Sequence, residues 1–565
     1  MGSREWGVAA PQQPHSPLPT PGSRVAHLAR DSYDIVVIGG GAYGAFAAWD
    51  AALRGLRVAL VERGDFGGET SANSLKIVHG GLRHLQSADL ARVREGVRER
   101  AILLRAAPHL VRPLPCVLPT AGRGVRSRPA LAAALAANDL LSADRNLSRE
   151  PSRHIPRSRL VSREELARLA GPLAAPHATG AALWCDALME SPERLLLAAV
   201  RSAVVAGARV ANYVEVTALL LDRGRVAGVR VRSADDGEEG ELHAGAVLNA
   251  AGPWASRFAG GEGSAANTLV RACNLVVRRE GPAVAVAVPS RTRRRMLFAV
   301  PWRGRLLLGT SYRCAGGAPQ GSVHPEPADV DELLADFNDS LPQLGLQRQE
   351  VVLVHAGLLP GRARRADAAP LNRPVLVDHA RADARPGLVT VQGVKWTTAR
   401  AEAARAVDLC QRHLAATARH APPAGTDSLP LFGGDIQSLD AFWAERPEGG
   451  DAGIPAAALH RLKELYGTEY HEVLSVARER PELARPLAEG VPVVGAQVVH
   501  AVREEMARHL TDVVLRRTEL GTAGYPGDEV AEAAARLAGA ELGWSPERER
   551  AELGALRAVY HVGTS

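Results

Sequence analysis

The stretch Ile35-Val36-Val37-Ile38-Gly39-Gly40-Gly41-Ala42-Tyr43-Gly44, followed by an alanine-rich run, Arg57 to Val61 and then Glu62, decides the fold. Four apolar β-formers leading into three glycines read as a strand that turns directly into a helix. Gly39 gives the tight turn, Gly41 lets backbone approach a pyrophosphate, and Gly44 lets helix and strand pack closely. The helix N-terminus then offers unpaired N–H groups to phosphate. The second strand ends on Glu62, at the spacing of about 20 residues where a carboxylate accepts a hydrogen bond from a ribose hydroxyl. Strand, glycines, helix and acid stand in the order a dinucleotide-binding unit requires.

The rest of the 565 residues exceeds one hydrophobic core, so two or three domains are expected. With 46% hydrophobic and 23% charged residues the chain reads as soluble and globular. Its 68 Lys and Arg against 62 Asp and Glu give +6, and the arginines are scattered among acids, so no nucleic-acid footprint is implied. A mildly basic surface suits anionic substrates or anionic lipid. Cys116, Cys185, Cys273, Cys314 and Cys410 are far apart, without C-x-x-C or metal-ligand spacing, which fits a reducing cytoplasm. No run approaches the roughly 18 apolar residues of a membrane span. Residues 1–30 are rich in Pro, Gln and Ser and read as a disordered tail, not a secretory signal.

Gly67 to Ser74 is a small-residue loop of the kind that lets backbone approach a ligand, and His79-Gly80-Gly81-Leu82-Arg83-His84 follows closely. Asp89 to Ala107 repeats apolar positions at helical spacing and predicts an exposed amphipathic helix. Ser202 to Val231 predicts a helix end and strands around Asp222-Arg223-Gly224, and Val247 to Trp254 a strand entering a turn. Leu269 to Thr310 is strand-like and predicts an antiparallel sheet, Gly387 to Val394 a further strand and Thr397 to Leu414 a helix. Past Pro422 a linker leads to segments of helical period, Ala456 to Tyr466, Gly495 to Thr518 and Asp528 to Leu542, hence an all-helical domain.

Several blocks together resemble the FAD-dependent glycerol-3-phosphate dehydrogenases, which oxidise sn-glycerol 3-phosphate to dihydroxyacetone phosphate. They are Ile38 to Gly44, Thr70-Ser71 to Lys76, His79 to Arg83, Ala107 to Leu110, Asn249 to Trp254, Pro301-Trp302 with Gly309-Thr310, Gly393 to Thr398, and Arg503 to Met506 with Arg516 to Thr518. The resemblance spans nearly the whole chain after residue 30, and the His79 to Arg83 block is its most specific part. It implies an α/β (α+β) protein with a glutathione-reductase-like FAD-binding domain, an antiparallel-sheet substrate or cap domain and an all-helical C-terminal domain. The expected boundaries are 31–120, 176–260 and 385–415 for the FAD domain, 121–175 and 261–384 for the cap, and 425–565 for the helices. Gly39, Gly41, Gly44 and Glu62 would hold the ADP half of FAD. Thr70, Ser71, Ser74 and Lys76 would line the pyrophosphate and flavin side, with Gly252 near the adenosine and Gly393, Val394 and Thr397 near the isoalloxazine. Lys395, beside the pyrimidine edge, would stabilise negative charge on the reduced ring.

Three positions depart from the family pattern. His84 replaces a tyrosine, Asn274 a histidine, and Leu359 an arginine that would clamp substrate phosphate. Losing such a contact costs roughly 2–4 kcal/mol of anion binding unless Arg362, Arg364 or Arg313 replaces it. A run such as Arg362-Ala363-Arg364-Arg365 reads first as a solvated loop. With the histidine absent at Asn274, His84 is the candidate base, Arg83 orients an anionic or alkoxide oxygen, and Asn274 donates to the nascent carbonyl. His79, beside Ile77 and Val78, reads as structural. The catalytic set is therefore His84, Arg83, Lys395 and Asn274. Expected partners are a polyol phosphate, a quinone or other electron acceptor, a peripheral contact with the inner face of the cell membrane and a second copy in a homodimer, with no nucleic acid and a cytoplasmic location. Three other readings stay open: flavin chemistry on a different polyol or hydroxy acid, a non-catalytic flavoprotein, and, from the glycine motif alone, a NAD-binding module.

Overall fold

The computed structural model describes residues 24–122, 124–146, 150–259, 268–293, 295–316, 321–364 and 367–561. Tyr33–Ile38 runs through the centre of the first sheet, parallel to Val58–Val61 on one side and to Glu239–Asn249 on the other. Leu388–Gln392 extends the sheet in parallel beyond Glu239–Asn249, and Arg209–Ala211 extends it beyond Val58–Val61. These strands are apolar on successive residues because both of their faces are covered. On one face the helices Ala42–Leu53, Pro192–Val205 and Ala399–Gln411 share a core with Ile35, Val37, Leu60 and Leu248. On the other, the hairpin Val214–Asp222 and Arg225–Ser233 packs Val214, Val229 and Val231 against Val36, Val61 and Val247. The hairpin turns at Arg223 (φ 48) and Gly224 (φ 81), where the sequence places it.

The second sheet runs in the order Asp367–Pro370, Val351–Arg364, Leu269–Val277, Arg305–Gly316, Met296–Trp302, Ala285–Pro289, Val111–Pro119, Ala181–Met189, Ile77–Val78. It is antiparallel except where Ala285–Pro289 meets Val111–Pro119. Ile77–Val78, Val111–Pro119 and Ala181–Met189, assigned above to the FAD domain, are strands of the cap sheet. Val375–Asp378, assigned to the cap, pairs with Leu388–Gln392 at the edge of the nucleotide sheet. The pairing partners lie far apart in sequence, so local pattern carries no sign of them.

The disordered tail expected over residues 1–30 falls mostly outside the described residues, which begin at residue 24, but Arg24–Ala29 is a helix with Val25 and Leu28 buried. Arg24 Nη1 donates to the Asn212 carbonyl at 2.7 Å, and the Tyr33 hydroxyl donates to the Leu28 carbonyl at 2.7 Å. The helical domain follows the predicted segments, with Ala456–Tyr466 and Asp528–Leu542 matching residue for residue. Gly495 to Thr518 breaks after Arg503, and Met506 adopts a left-handed φ of 59 before the chain turns helical again at Leu510. Among the described residues no helix is long and apolar enough to cross a membrane.

Candidate active site

A groove opens where Tyr33–Ile38 ends on Gly39, between the carboxyl ends of the parallel strands. Gly39 has φ +102, and a Cβ there would lie 2.7 Å from the Ala250 carbonyl oxygen. At Gly44 it would lie 1.9 Å from the Gly39 carbonyl oxygen, so helix and strand can touch only without a side chain. Gly41 caps the helix Ala42–Leu53 without a side-chain bond, and with the Ala42 N–H taken by Ser71, the following first-turn N–H groups are left for an anion. Glu62 is enclosed in the groove wall. Its carboxylate accepts from the Gly40 N–H at 2.7 Å and from the Gly64 N–H at 2.8 Å, so it ties the glycine turn to its own loop. Burial raises its carboxyl, only partly offset by those amides. Next to it the Arg63 guanidinium lies 3.9 Å over the Trp254 ring. Gly252 (φ +54) stands at this end too, with open space where a side chain would project.

Thr70, Ser71, Ser74 and Lys76 all line the groove, yet their polar atoms are largely engaged within the protein. The Thr70 hydroxyl donates to the Leu358 carbonyl and accepts from the Leu358 N–H, each at 3.0 Å. Ser71 Oγ accepts from the Ala42 N–H at 3.0 Å, and Ser74 Oγ from the Lys76 N–H at 3.2 Å. Lys76 is wholly buried, its Nζ 3.2 Å from Glu193 and 4.6 Å from the Trp302 ring centre. Burial lowers its ammonium, and Glu193 opposes that shift. The loop from Gly393 is pinned from three sides. The Tyr43 hydroxyl donates to the Lys395 carbonyl at 3.0 Å, Trp396 Nε1 donates to the Ser71 carbonyl at 2.7 Å, and the Thr397 hydroxyl accepts from the His79 N–H at 3.1 Å. A side chain at Gly393 would stand 2.0 Å from the Tyr43 ring.

Beyond this loop the groove meets a chamber of about 1680 Å³. His79, Thr310, Tyr312, Lys395 and Thr397 line both spaces. His79, read from sequence as structural, lines this junction. Its side chain is 41% exposed, and Nδ1 lies 3.1 Å from an Asp186 carboxylate that is itself only 4% exposed. The other Asp186 oxygen accepts from the Gly80 N–H at 2.7 Å and from Arg100 at 3.2 Å. Burial alone would raise the Asp186 carboxyl, but His79, Arg100 and the Gly80 amide outweigh it and hold it below the usual carboxylate range. A lone acid in the otherwise apolar strand Ala181–Met189 was the available signal, since a buried carboxylate needs partners.

His84 also lines the chamber, buried, with Nε2 3.4 Å from Lys395 Nζ. Arg83 lies in the 3-10 helix Leu82–Ser87, and its side chain lies outside the described residues, as does that of Arg364. Asn274 is buried and accepts from the Thr310 hydroxyl at 2.7 Å. Directly opposite it on Val351–Arg364 stands His355, unremarked in the sequence, whose Nε2 is buried without a hydrogen-bond partner. Burial first, then Lys76, keeps that imidazole well below its usual value and hence neutral. Leu359 lies on the groove wall. Arg313 turns instead toward Asp329, 3.7 Å away, and Arg362 is exposed.

Residues 34–409 match the model of the FAD dependent oxidoreductase family, and residues 424–549 match the C-terminal domain of alpha-glycerophosphate oxidase. A glycerol-3-phosphate dehydrogenase of Synechocystis sp. is 32% identical over 510 residues, covering 86% of this chain and 89% of that one. Glycerol-3-phosphate dehydrogenase 2 of Mycobacterium tuberculosis is 32% identical over 527 residues, covering 92% and 86%. The X-ray structure of the glycerol-3-phosphate dehydrogenase from Bacillus halodurans complexed with FAD superposes with a TM-score of 0.73 at 25% identity, over 96% of this chain and 97% of that one. The glycine cradle, the uncapped helix N-terminus and the open space at Gly252 fit FAD in the groove. The chain therefore belongs to the FAD-dependent glycerol-3-phosphate dehydrogenase family and is an FAD-dependent oxidoreductase.

Proposed function

We propose that this enzyme oxidises the secondary alcohol of glycerol 3-phosphate to dihydroxyacetone phosphate, with His79 as the base. FAD, when bound, accepts the hydride and its two electrons. The observation that carries the assignment is the His79–Asp186 pair at the junction of groove and chamber. With Nδ1 donating to Asp186, Nε2 is left as the acceptor for the hydroxyl proton. The imidazolium so formed is neutralised by Asp186. A proton on His84 would instead add a second positive charge beside Lys395, on the order of 4 kcal/mol at about 4 Å in an effective dielectric near 20. Lys395 and Arg373, both on the chamber wall, are the cations that meet the phosphate.

Relatives of similar size that carry the name glycerol-3-phosphate dehydrogenase support this substrate. A second reading, a different small polyol or hydroxy acid, is supported by Leu359 on the groove wall and by Asn274 bonded to Thr310. A membrane quinone is the proposed electron acceptor, reached peripherally at the inner face of the membrane. The apolar side chains Leu90, Val125 and Met296, exposed by 51%, 77% and 37% around the chamber, support a lipophilic partner. The test is turnover with glycerol 3-phosphate and an electron-accepting dye. Dihydroxyacetone phosphate should form in step with dye reduction, and a soluble ubiquinone analogue should replace the dye. Dye reduction by another polyol or hydroxy acid, and none by glycerol 3-phosphate, would favour the second reading.

A further inference from the structure

Asp65 lies three residues after Glu62 and five before Thr70, so it sits in the turn between the ribose carboxylate and the loop on the pyrophosphate side. The turn is stitched to the cofactor cradle at several points. Gly67 N–H donates to the Gly40 carbonyl at 3.0 Å, Gly68 N–H donates to the Asp65 carbonyl at 3.0 Å, and a Cβ on Gly40 would stand 2.5 Å from the Phe66 ring. Yet the strongest bonds on Asp65 come from the helical domain. Arg517, with no exposed side-chain surface, holds both Asp65 oxygens, Nη1 at 2.6 Å and Nη2 at 2.7 Å, and Arg516 Nε donates to one of them as well.

Both arginines are fixed from behind. Arg517 Nε and Nη2 donate to the Glu505 carbonyl at 3.0 and 2.8 Å, and the Glu505 carboxylate accepts from Arg194 of the FAD domain at 2.6 and 2.7 Å. Arg516 also pairs with Asp512, which accepts from the Tyr213 hydroxyl at 2.9 Å. Tyr213 in turn donates its N–H to the Gly64 carbonyl at 2.9 Å, and Asn212 Nδ2 bridges Asp65 at 3.0 Å and the Met506 carbonyl at 2.9 Å. The paths through Arg517, Arg516, Asn212 and Tyr213 converge on the segment 62–68, while Glu505 also reaches the helix Pro192–Val205 through Arg194. A bidentate, dehydrated guanidinium–carboxylate pair fixes both distance and orientation.

We propose that the helical domain acts as a clasp on the cofactor turn: Arg517, aided by Arg516, is a positioning residue that holds Asp65, and through it Glu62 and the Gly40 amide, in the geometry that retains FAD. The proposal rests on the assignment of this groove to FAD. By linkage, the coupling is reciprocal, so FAD must tighten the helical domain as much as the helical domain tightens FAD. A pair that merely welded two domains together would lower stability on removal and leave FAD affinity alone.

The test uses the full chain, stripped of flavin and titrated with FAD. Arg517→Met should raise the FAD dissociation constant roughly 10-fold, Arg517→Lys should recover part of the loss, and Arg516→Gln should give a smaller rise. Asp65→Asn combined with Arg517→Met should weaken FAD no further than Arg517→Met alone, because both break one link. Unchanged FAD affinity in Arg517→Met and Arg516→Gln, with only a lower apo unfolding temperature, would overturn the proposal. Should Arg517→Met fail to fold, amide hydrogen exchange of the unaltered chain decides. FAD loading should slow exchange across 505–517, and equal rates with and without FAD would overturn the clasp. Failure of the unaltered chain to bind FAD at all would instead strike the cofactor assignment.

Discussion

The nucleotide groove and the chamber beside it are adjoining spaces built from different material. In the groove the contacts come from backbone: amides of the glycine turn, a helix N-terminus, and side chains such as Thr70, Ser71 and Glu62 that hold the protein's own loops in place. In the chamber the polar groups are side-chain ends, His79 on Asp186 and Lys395 near His84. A backbone-built site tolerates little variation, because each glycine answers a distance. A side-chain-built site can change one residue at a time; of the three departures from the family pattern, His84 lines the chamber, while Asn274 and Leu359 line the groove.

The sharpest way to break that contrast is at Gly44. Gly44→Val places carbon 1.9 Å from the Gly39 carbonyl oxygen, so the purified protein should lack flavin absorbance altogether. A yellow variant would mean that the turn is not the cradle. Asp186→Asn comes next. It leaves Arg100 buried without its anion and should cost about 3–5 kcal/mol of unfolding free energy in a denaturant titration. Because the fold holds the Asp186 carboxyl below its ordinary value, its stabilisation is complete above about pH 4 and is lost as pH falls through the lower folded value. The Asn variant should lack that part of the acid-side loss. The smallest effect is expected at Leu359→Arg, which should tighten glycerol 3-phosphate roughly tenfold in flavin-reduction titrations if phosphate approaches that wall. No change would assign the phosphate to Lys395 and Arg373.

The same contrast explains what could be read from the chain. Gly39, Gly44 and Glu62 were legible because a turn, a close packing and an acid at fixed spacing are local requirements. The helical domain was legible because its segments keep a helical period. Membership of Val111–Pro119 in the cap sheet was not, since its neighbours Ala181–Met189 and Ala285–Pro289 are remote in sequence. The pairing of His79 with Asp186 was hidden for a related reason. The histidine's apolar neighbours Ile77 and Val78 suggested a core, while Asp186, its partner, stands 107 positions away. The helix Arg24–Ala29 was hidden by the Pro-rich composition of the residues before it.

The most direct test of the account is the anaerobic rate of flavin reduction by glycerol 3-phosphate in His79→Ala and His84→Ala, measured side by side with the unaltered enzyme. The His79 variant should reduce its flavin roughly 10² to 10⁴ times more slowly, and the His84 variant within a few-fold of normal. The reverse order, or full speed without His79, would contradict the assignment of the base to the His79–Asp186 pair.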